Sequence, residues 1–497
     1  MRSIDRRKFI KSTGGLLALA AFDLSNFGCA SNSDYSIAPA PTIAPKGPNE
    51  RINVAVIGVG GRGSGAHLSQ YTAAKNCRIV YLCDADTDHT TKNIGRARNS
   101  NGEDAPDPVL VQDMRRVFDD KSVDVVSIAT CNHWHSLAAS WALQAGKDVY
   151  VEKPLSHNFV EGKRVVDISA RTGHIVQCGT QMRSNPSIID AIAYLRTGAL
   201  GKILISRGLC YKTRNSIGKV DGPQKPPETV DYNLWCGPAP MAPLMREKLH
   251  YDWHWVWPTG NGDIGNQGIH EIDLARWAAG VDTYPKSVIS VGGRFGYVDD
   301  GETPNTQVAA FDYGPDKPKI IIEVRGLNTQ AYKSRGIENV VECENGYLVS
   351  PSYTSAIAYD KDGNVLQRFN GGGDQNHFGN FLDVVRSRKA EDLHMSAAQG
   401  HLSDSILHLA NISFLSGQQM PFTEYKKKPT DSDPDANSAI NRMIEHLAAN
   451  EVPIDSSTFA VGPRLMFNGT TGRFTNNSKA NALLTREYRA PFTLPTV

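Results

Sequence analysis

Two short stretches hold the side chains best equipped for chemistry. In "DVYVEKP" an apolar run ends in Glu152, Lys153 and Pro154, so an ammonium stands where a buried strand gives way to a fixed turn. An ammonium there can hydrogen-bond a reacting oxygen, and burial favours its neutral form. The competing reading is a lysine salt-bridged to Glu152 at a domain edge. In "GDIGNQGIHEIDLARWAAG", Asn266, His270, Asp273 and Trp277 recur at steps of four, three and four. That spacing puts them on one stripe of a helix over 268–279 that stops at Gly280. A polar stripe flanked by apolar residues points to a face turned towards a cleft, with Asp273 placed one turn on to orient the imidazole.

A third stretch, "WHWVWPTGNGD", alternates Trp253, Trp255 and Trp257, three of the chain's seven tryptophans. If the segment is extended, all three rings point the same way. Indole faces suit the apolar C–H face of a sugar, and the interleaved His254 can reach hydroxyls. Tryptophan fills cores equally well, so the choice turns on what surrounds the rings. Arg183 and Gln181 in "GTQMRSNP", and Tyr211, Lys212 and Arg214 in "CYKTRN", are further cleft candidates. Histidines 133, 135, 250, 254 and 270 invite a metal reading, but none falls in a firm ligand pattern, and no metal is expected.

The elements that must position these groups begin at residue 51. "INVAVIGVGGRGSGAHLSQY" reads as a buried strand, then Gly58-x-Gly60-x-x-Gly63, then a helix. The first glycine permits a tight turn, the second a close approach to a pyrophosphate, and the third close packing of helix on strand. Gly61 and Arg62 lie in the same loop. A second strand, "RIVYLCDAD", ends in Asp84, 24 residues beyond Gly60. A carboxylate there accepts from a ribose 2′-hydroxyl and repels a 2′-phosphate, favouring NAD over NADP; Asp86 is the lesser candidate. "SVDVVSIAT" and "DVYVEKP" continue the parallel pattern. Asn132, His133 and His135 follow one strand, and Glu152 and Lys153 follow the other, at the ends where such sheets bind ligands. The fold class is therefore α/β, a doubly wound parallel sheet followed by an α+β domain with an open, largely antiparallel sheet.

In this order, the glycine loop, "CD" after the second strand, "NHWH", "VEKPLS", "GTQMRSNPSIIDAIAYLRTGALGKI" and "GDIGNQGIHEIDLARW" resemble the Gfo/Idh/MocA family, which includes glucose–fructose oxidoreductase and inositol dehydrogenase. The likeness covers residues 51 to 280 well and the remainder more loosely. It implies a nicotinamide cofactor held by the glycine loop, Asp84, Asn132, His135, Glu152, Lys153 and Gln181. It assigns Lys153 to the catalytic centre and makes His270 a general base or acid. Asn266, Asp273, Arg183, His254 and the tryptophans then face a carbohydrate-like substrate. One departure stands out: many relatives carry aspartate where this chain has Asn266, so proton handling rests on Lys153 and His270.

The rest of the chain bounds the setting. At 497 residues it exceeds one hydrophobic core. Its net charge of +1 lacks the basic footprint of a nucleic-acid binder. "DRRKFIK" followed by "GGLLALAAF" resembles a twin-arginine export signal over residues 1–29, a route for folded proteins to the periplasm. Cys29 is a candidate lipid anchor. Residues 30–50 are a Pro/Ser/Ala-rich tether. Residues 51–178 then form the nucleotide domain, 179–425 the substrate and association domain, and 426–497 an extension that packs back. Seven cysteines follow Cys29, an odd number without metal spacing, and read as buried free thiols. Free NAD is not expected outside the cytoplasm, so the cofactor is expected to be tightly held in a homo-oligomeric enzyme. The reaction class is oxidation of a secondary hydroxyl of a sugar, glycoside or cyclitol. The alternative is a redox-neutral glycosidase or lyase working through a keto-sugar, although "NQGIHEID" differs from the histidine motif associated with such enzymes.

Overall fold

The computed structural model describes residues 40–497 except 48, 100–105, 335 and 430. The signal-like segment, Cys29 and most of the tether lie outside the described residues.

Six strands form the first sheet: β1 (Ile52–Ile57), β2 (Cys77–Cys83), β3 (Val109–Val111), β4 (Val125–Ile128), β5 (Asp148–Val151) and β6 (Val176–Cys178). Their order is β3-β2-β1-β4-β5-β6, and every pairing is parallel. β4 and β5 are buried at every position, as strands covered on both faces must be. Strand order reverses between β1 and β4, which opens a crevice beyond their carboxyl ends.

The second sheet contains β7 (Ile203–Tyr211), β8 (Ser287–Gly293), β9 (Thr306–Asp312), β10 (Lys319–Arg325), β11 (Ile337–Cys343), β12 (Gly346–Ser352), β13 (Ser355–Asp360) and β14 (Val365–Asn370). They run in the order β14-β13-β12-β11-β7-β10-β9-β8. Only β7 and β10 pair in parallel; the other neighbours are antiparallel. The helix Gly268–Ala279 lies against β7, β10 and β11 and is buried along nearly its whole circumference. Ile269, Ile272 and Ala275 give it an apolar face on the sheet, and Gly280, at φ +67°, ends it in a left-handed cap.

The division at residues 178 and 425 is not a division of the cores. The helix Asp374–Ser387 returns to the first domain and sets Phe378, Phe381, Leu382, Val384 and Val385 into its core. Phe378 stacks on Tyr150 of β5 with centroids 4.3 Å apart. One face of the parallel sheet needs this cover, and the chain supplies it from the far end. The last residues also split: Thr458–Val461 and Leu465–Asn468 add strands beside β8, whereas Phe492 packs edge-on to Trp134, 5.5 Å away. All seven described cysteines are free, and all but Cys131 are buried. Among the described residues no helix is long and apolar enough to cross a membrane.

Candidate active site

Two glycines of the loop tolerate no side chain. Gly58 has φ +82°, and a Cβ there would meet the backbone of Ala129 at 2.6 Å. A Cβ on Gly63 would lie 1.8 Å from the carbonyl oxygen of Gly58, so the following helix can approach the turn only because the position is bare. Gly60 would press on the His89 ring at 3.1 Å. Asp84, at the end of β2, accepts from the backbone N–H of Val59 at 2.9 Å and of Asp86 at 3.0 Å. These bonds aim the carboxylate across the loop and leave lone pairs for a further donor.

A cavity of about 570 Å³ runs from Asp84 and His89 at one end to Lys153 and Asn266 at the other. Gly58, Gly60, Gly61 and Arg62 line its middle, and Asn132, His135 and Glu152 stand opposite at the ends of β4 and β5. A bare glycine cradle, an acid at the end of β2 and an elongated cleft fit a dinucleotide. The lid over this cleft is the long excursion after β7: Thr87 donates its backbone N–H to Thr229 at 3.0 Å, and Asp231 to Ala85 at 2.9 Å.

Around Glu152 the polar groups are tightly paired. Arg62 donates to Glu152 at 2.8 Å and to Asp374 at 2.8 Å, and His67 Nε2 lies 3.2 Å from Glu152. Burial alone would raise the Glu152 carboxyl, but Arg62 and His67 outweigh it and hold it well below its ordinary range. Lys153 reaches Glu152 only through its backbone N–H, at 3.3 Å, and its side chain goes elsewhere. Its ammonium donates to the backbone carbonyl of Asn266 at 2.6 Å, bringing the two halves of the molecule together at one atom. Burial, and then the positive charge of Arg62, lower its pKa against the pull of Glu152.

His270 lies four residues beyond that carbonyl, off the cavity wall and 5% exposed. Its Nδ1 is buried with no hydrogen-bond partner among the described residues, and its ring centroid is 4.9 Å from that of Tyr353. Burial first, and then the charge of Lys153, hold it well below the ordinary histidine value, so it is a neutral imidazole. Its neighbour Glu271 is pushed up to about 8 by burial. Gln267 donates to Glu271 at 3.2 Å and to the Tyr353 hydroxyl at 2.5 Å, while Lys212 donates to Gln267 at 3.1 Å. Arg214 closes the group with a two-point bond to Asp263 at 2.9 and 2.7 Å.

Several expected roles are not what the structure shows. Asp273 does not orient His270: its oxygens accept from Arg183 at 2.8 and 2.8 Å and from Ser403 at 2.7 Å. Arg183, with its guanidinium also 4.6 Å from the Trp277 ring, is therefore a core partner rather than a cleft residue. Gln181 is buried in the turn Gln181–Ser184, away from the cavity wall. The tryptophans do not form one wall, because Asp252–Trp255 is a 3₁₀ turn rather than a strand. Trp253 lines the cavity and stacks on His254 at 3.6 Å. Trp255 is 5% exposed, with Arg214 5.3 Å from its ring centroid, and Trp257 faces Phe414 at 6.3 Å. Sequence reasoning missed Gln267 and Tyr353; Gln267 sits in the polar stretch already singled out, whereas nothing local marks Tyr353.

Two family models match. One, described as an oxidoreductase family with an NAD-binding Rossmann fold, covers residues 52–180, and the other, its C-terminal alpha/beta domain, covers residues 198–446. Levoglucosan dehydrogenase of Pseudarthrobacter phenanthrenivorans is 28% identical over 178 residues, 36% of this chain and 38% of the relative. Inositol 2-dehydrogenase 2 of Saccharopolyspora erythraea is 27% identical over 230 residues, 46% of this chain and 54% of the relative. Alpha-N-acetylgalactosaminidase of Shewanella oneidensis is 26% identical over 219 residues, 41% and 45% of the two chains. The chain thus spans about half or less of the length of these curated relatives. Among solved structures, levoglucosan dehydrogenase in complex with NADH and levoglucosan superposes with a TM-score of 0.54 at 19% identity, covering 73% of this chain and 98% of that one. The WlbA dehydrogenase of Bordetella pertussis, in complex with NADH and UDP-GlcNAcA, gives 0.54 at 17% identity, covering 73% and 97%. These likenesses concern the fold.

Proposed function

Because the chain belongs to the Gfo/Idh/MocA family of NAD-binding oxidoreductases, we propose that it oxidises a secondary hydroxyl of a sugar, glycoside or cyclitol. The observation that carries this reading is the Lys153 ammonium on the Asn266 carbonyl, four residues before a neutral His270. When bound, the nicotinamide supplies the hydride acceptor. Gly58, Gly60, Gly61 and Arg62 would hold its phosphates, and Asp84 its adenine ribose.

The protein's own task is the proton on the substrate oxygen. As the neutral amine that burial favours, Lys153 can accept that proton while one of its N–H groups stays on the Asn266 carbonyl and fixes the nitrogen in place. His270, one turn beyond Asn266 and with no internal partner for its Nδ1 among the described residues, would be the second group for proton handling. Trp253 and His254 offer an apolar face and a polar edge to a polyol.

A second reading is favoured by one observation, the match to an alpha-N-acetylgalactosaminidase. In that reading the hydroxyl is oxidised, a neighbouring bond is cleaved, and the hydride returns. The export-type N-terminus, the periplasmic destination, the tightly held cofactor, lipidation at Cys29 and homo-oligomerisation belong to this proposal. A deciding experiment denatures purified protein to measure released nicotinamide, then offers the native protein free sugars, cyclitols and aryl glycosides. Sugar-dependent reduction of the nicotinamide supports oxidation, and aglycone release without net reduction moves the assignment to cleavage. Sugar affinity without any bound or bindable nicotinamide overturns both.

A further inference from the structure

We propose that Asp86, His89 and His250 form a binding site for a first-row divalent cation, zinc foremost, at the Asp84 end of the cleft. This inference is independent of the reaction proposed above. The residues come from two stretches: Asp86 and His89 from the turn after β2 and the helix Thr87–Asn99 that follows it, and His250 from the excursion of the second domain. Asp86 Oδ2 lies 2.9 Å from His250 Nε2 and 3.8 Å from His89 Nε2, and the three donor atoms all lie within 4.8 Å of one another. Tetrahedral zinc, with bonds of about 2.0–2.1 Å, needs donors about 3.3 Å apart, a separation that the first two distances bracket.

Chemistry beyond proximity supports the site. His89 Nδ1 faces Asp84 Oδ2 at 3.1 Å. With Nδ1 donating to that oxygen, the neutral ring leaves its Nε2 lone pair facing Asp86 and His250. A carboxylate behind a histidine is the arrangement that fixes tautomer and ring orientation in metal sites. Asp86 is similarly prepared: its Oδ1 accepts from the backbone N–H of Asp88 at 3.0 Å, which aims Oδ2 at the imidazoles. Two imidazoles and one carboxylate suit zinc, iron(II), cobalt or nickel; magnesium and calcium prefer all-oxygen sets. A fourth position is left to water or another small ligand. Bound there, the ion would pin the excursion of the second domain to the first.

The test uses the full chain after chelator treatment and dialysis, with Co²⁺ as the probe. The expected result is visible absorption of four- or five-coordinate cobalt, saturating at one ion per chain and abolished by Zn²⁺. His250→Ala, at a side chain 40% exposed on a loop, should fold normally and lose the band. Asp84→Asn should weaken binding by roughly tenfold or more by freeing the His89 ring. A featureless titration, or a band unchanged in His250→Ala, overturns the proposal and leaves the residues as hydrogen-bonded pairs between domains.

Discussion

His270 and Asp273 lie one turn apart on the same buried helix, yet they have opposite fates. Asp273 has its charge answered by Arg183 and its remaining capacity taken by Ser403. Among the described residues, His270 keeps a ring nitrogen with no partner, and the side chain of Lys153 has only a backbone carbonyl as acceptor. A saturated buried pair is a fastener, since using either member for chemistry would first strand the other. An imidazole with no internal ion pair can take a ligand without stranding a neighbour.

The largest test of this contrast is Lys153→Met. Removing a positioned acid or base costs about 10²- to 10⁴-fold in rate. We expect kcat/KM for the alcohol found by the substrate panel to fall by that factor, with bound nicotinamide and Tm little changed. A large drop in Tm with nearly normal turnover would put Lys153 among the fasteners instead. Asp273→Ala should do the reverse. Breaking a buried ion pair by removing one partner costs about 3–5 kcal/mol, readable as a lower urea midpoint, because Arg183 is left buried and unanswered. The double change Arg183→Met with Asp273→Leu should recover part of that loss. A shifted pH–rate profile in Asp273→Ala at normal stability would break the distinction between the two residues.

This contrast also marks the limit of what the linear chain discloses. The glycine loop, the acid closing β2 and the lysine before Pro154 are set by local spacing, and Gly58 and Gly63 are bare for a reason that the tight turn already imposes. The stripe of Asn266, His270, Asp273 and Trp277 was equally legible as helical. Its division into a reactive and a structural half was not, because that depends on Arg183, 90 residues away in sequence. Likewise Tyr353 arrives through the β12–β13 turn, and the helix Asp374–Ser387 returns to the first core from beyond the whole second sheet. The tryptophan alternation misled for a local reason. A 3₁₀ turn replaces the period of two with a period of three, so rings two residues apart diverge.

His270 and Glu271 extend the comparison to pH. The imidazole is depressed well below 6.5, so the folded state holds fewer protons there than the unfolded chain, and its contribution to stability, complete above 6.5, is lost as pH falls from 6.5 towards the depressed value. The Glu271 carboxyl is raised from 4.5 to about 8, so its contribution is complete below 4.5 and disappears as pH rises towards 8. Glu271→Gln should therefore flatten the decline in urea midpoint between about pH 5 and pH 8, while leaving the acid side unchanged. An unaltered alkaline slope would mean that Glu271 is ionised in the folded protein.

The smallest effect separates two rings that the sequence treats alike. Trp253 is half-buried on the cavity wall, whereas Trp255 is closed beneath Arg214. If Trp253 supplies the apolar face for a polyol, Trp253→Ala removes a contact worth about 0.5–1.5 kcal/mol, or roughly two- to tenfold in KM, with kcat little altered. Trp255→Phe keeps an apolar ring in the core and should leave KM unchanged. Equal KM effects at the two positions would mean that Trp253 acts through packing of the turn, and the substrate's apolar face would then have to be met elsewhere, with Tyr353 beside His270 the next ring to test.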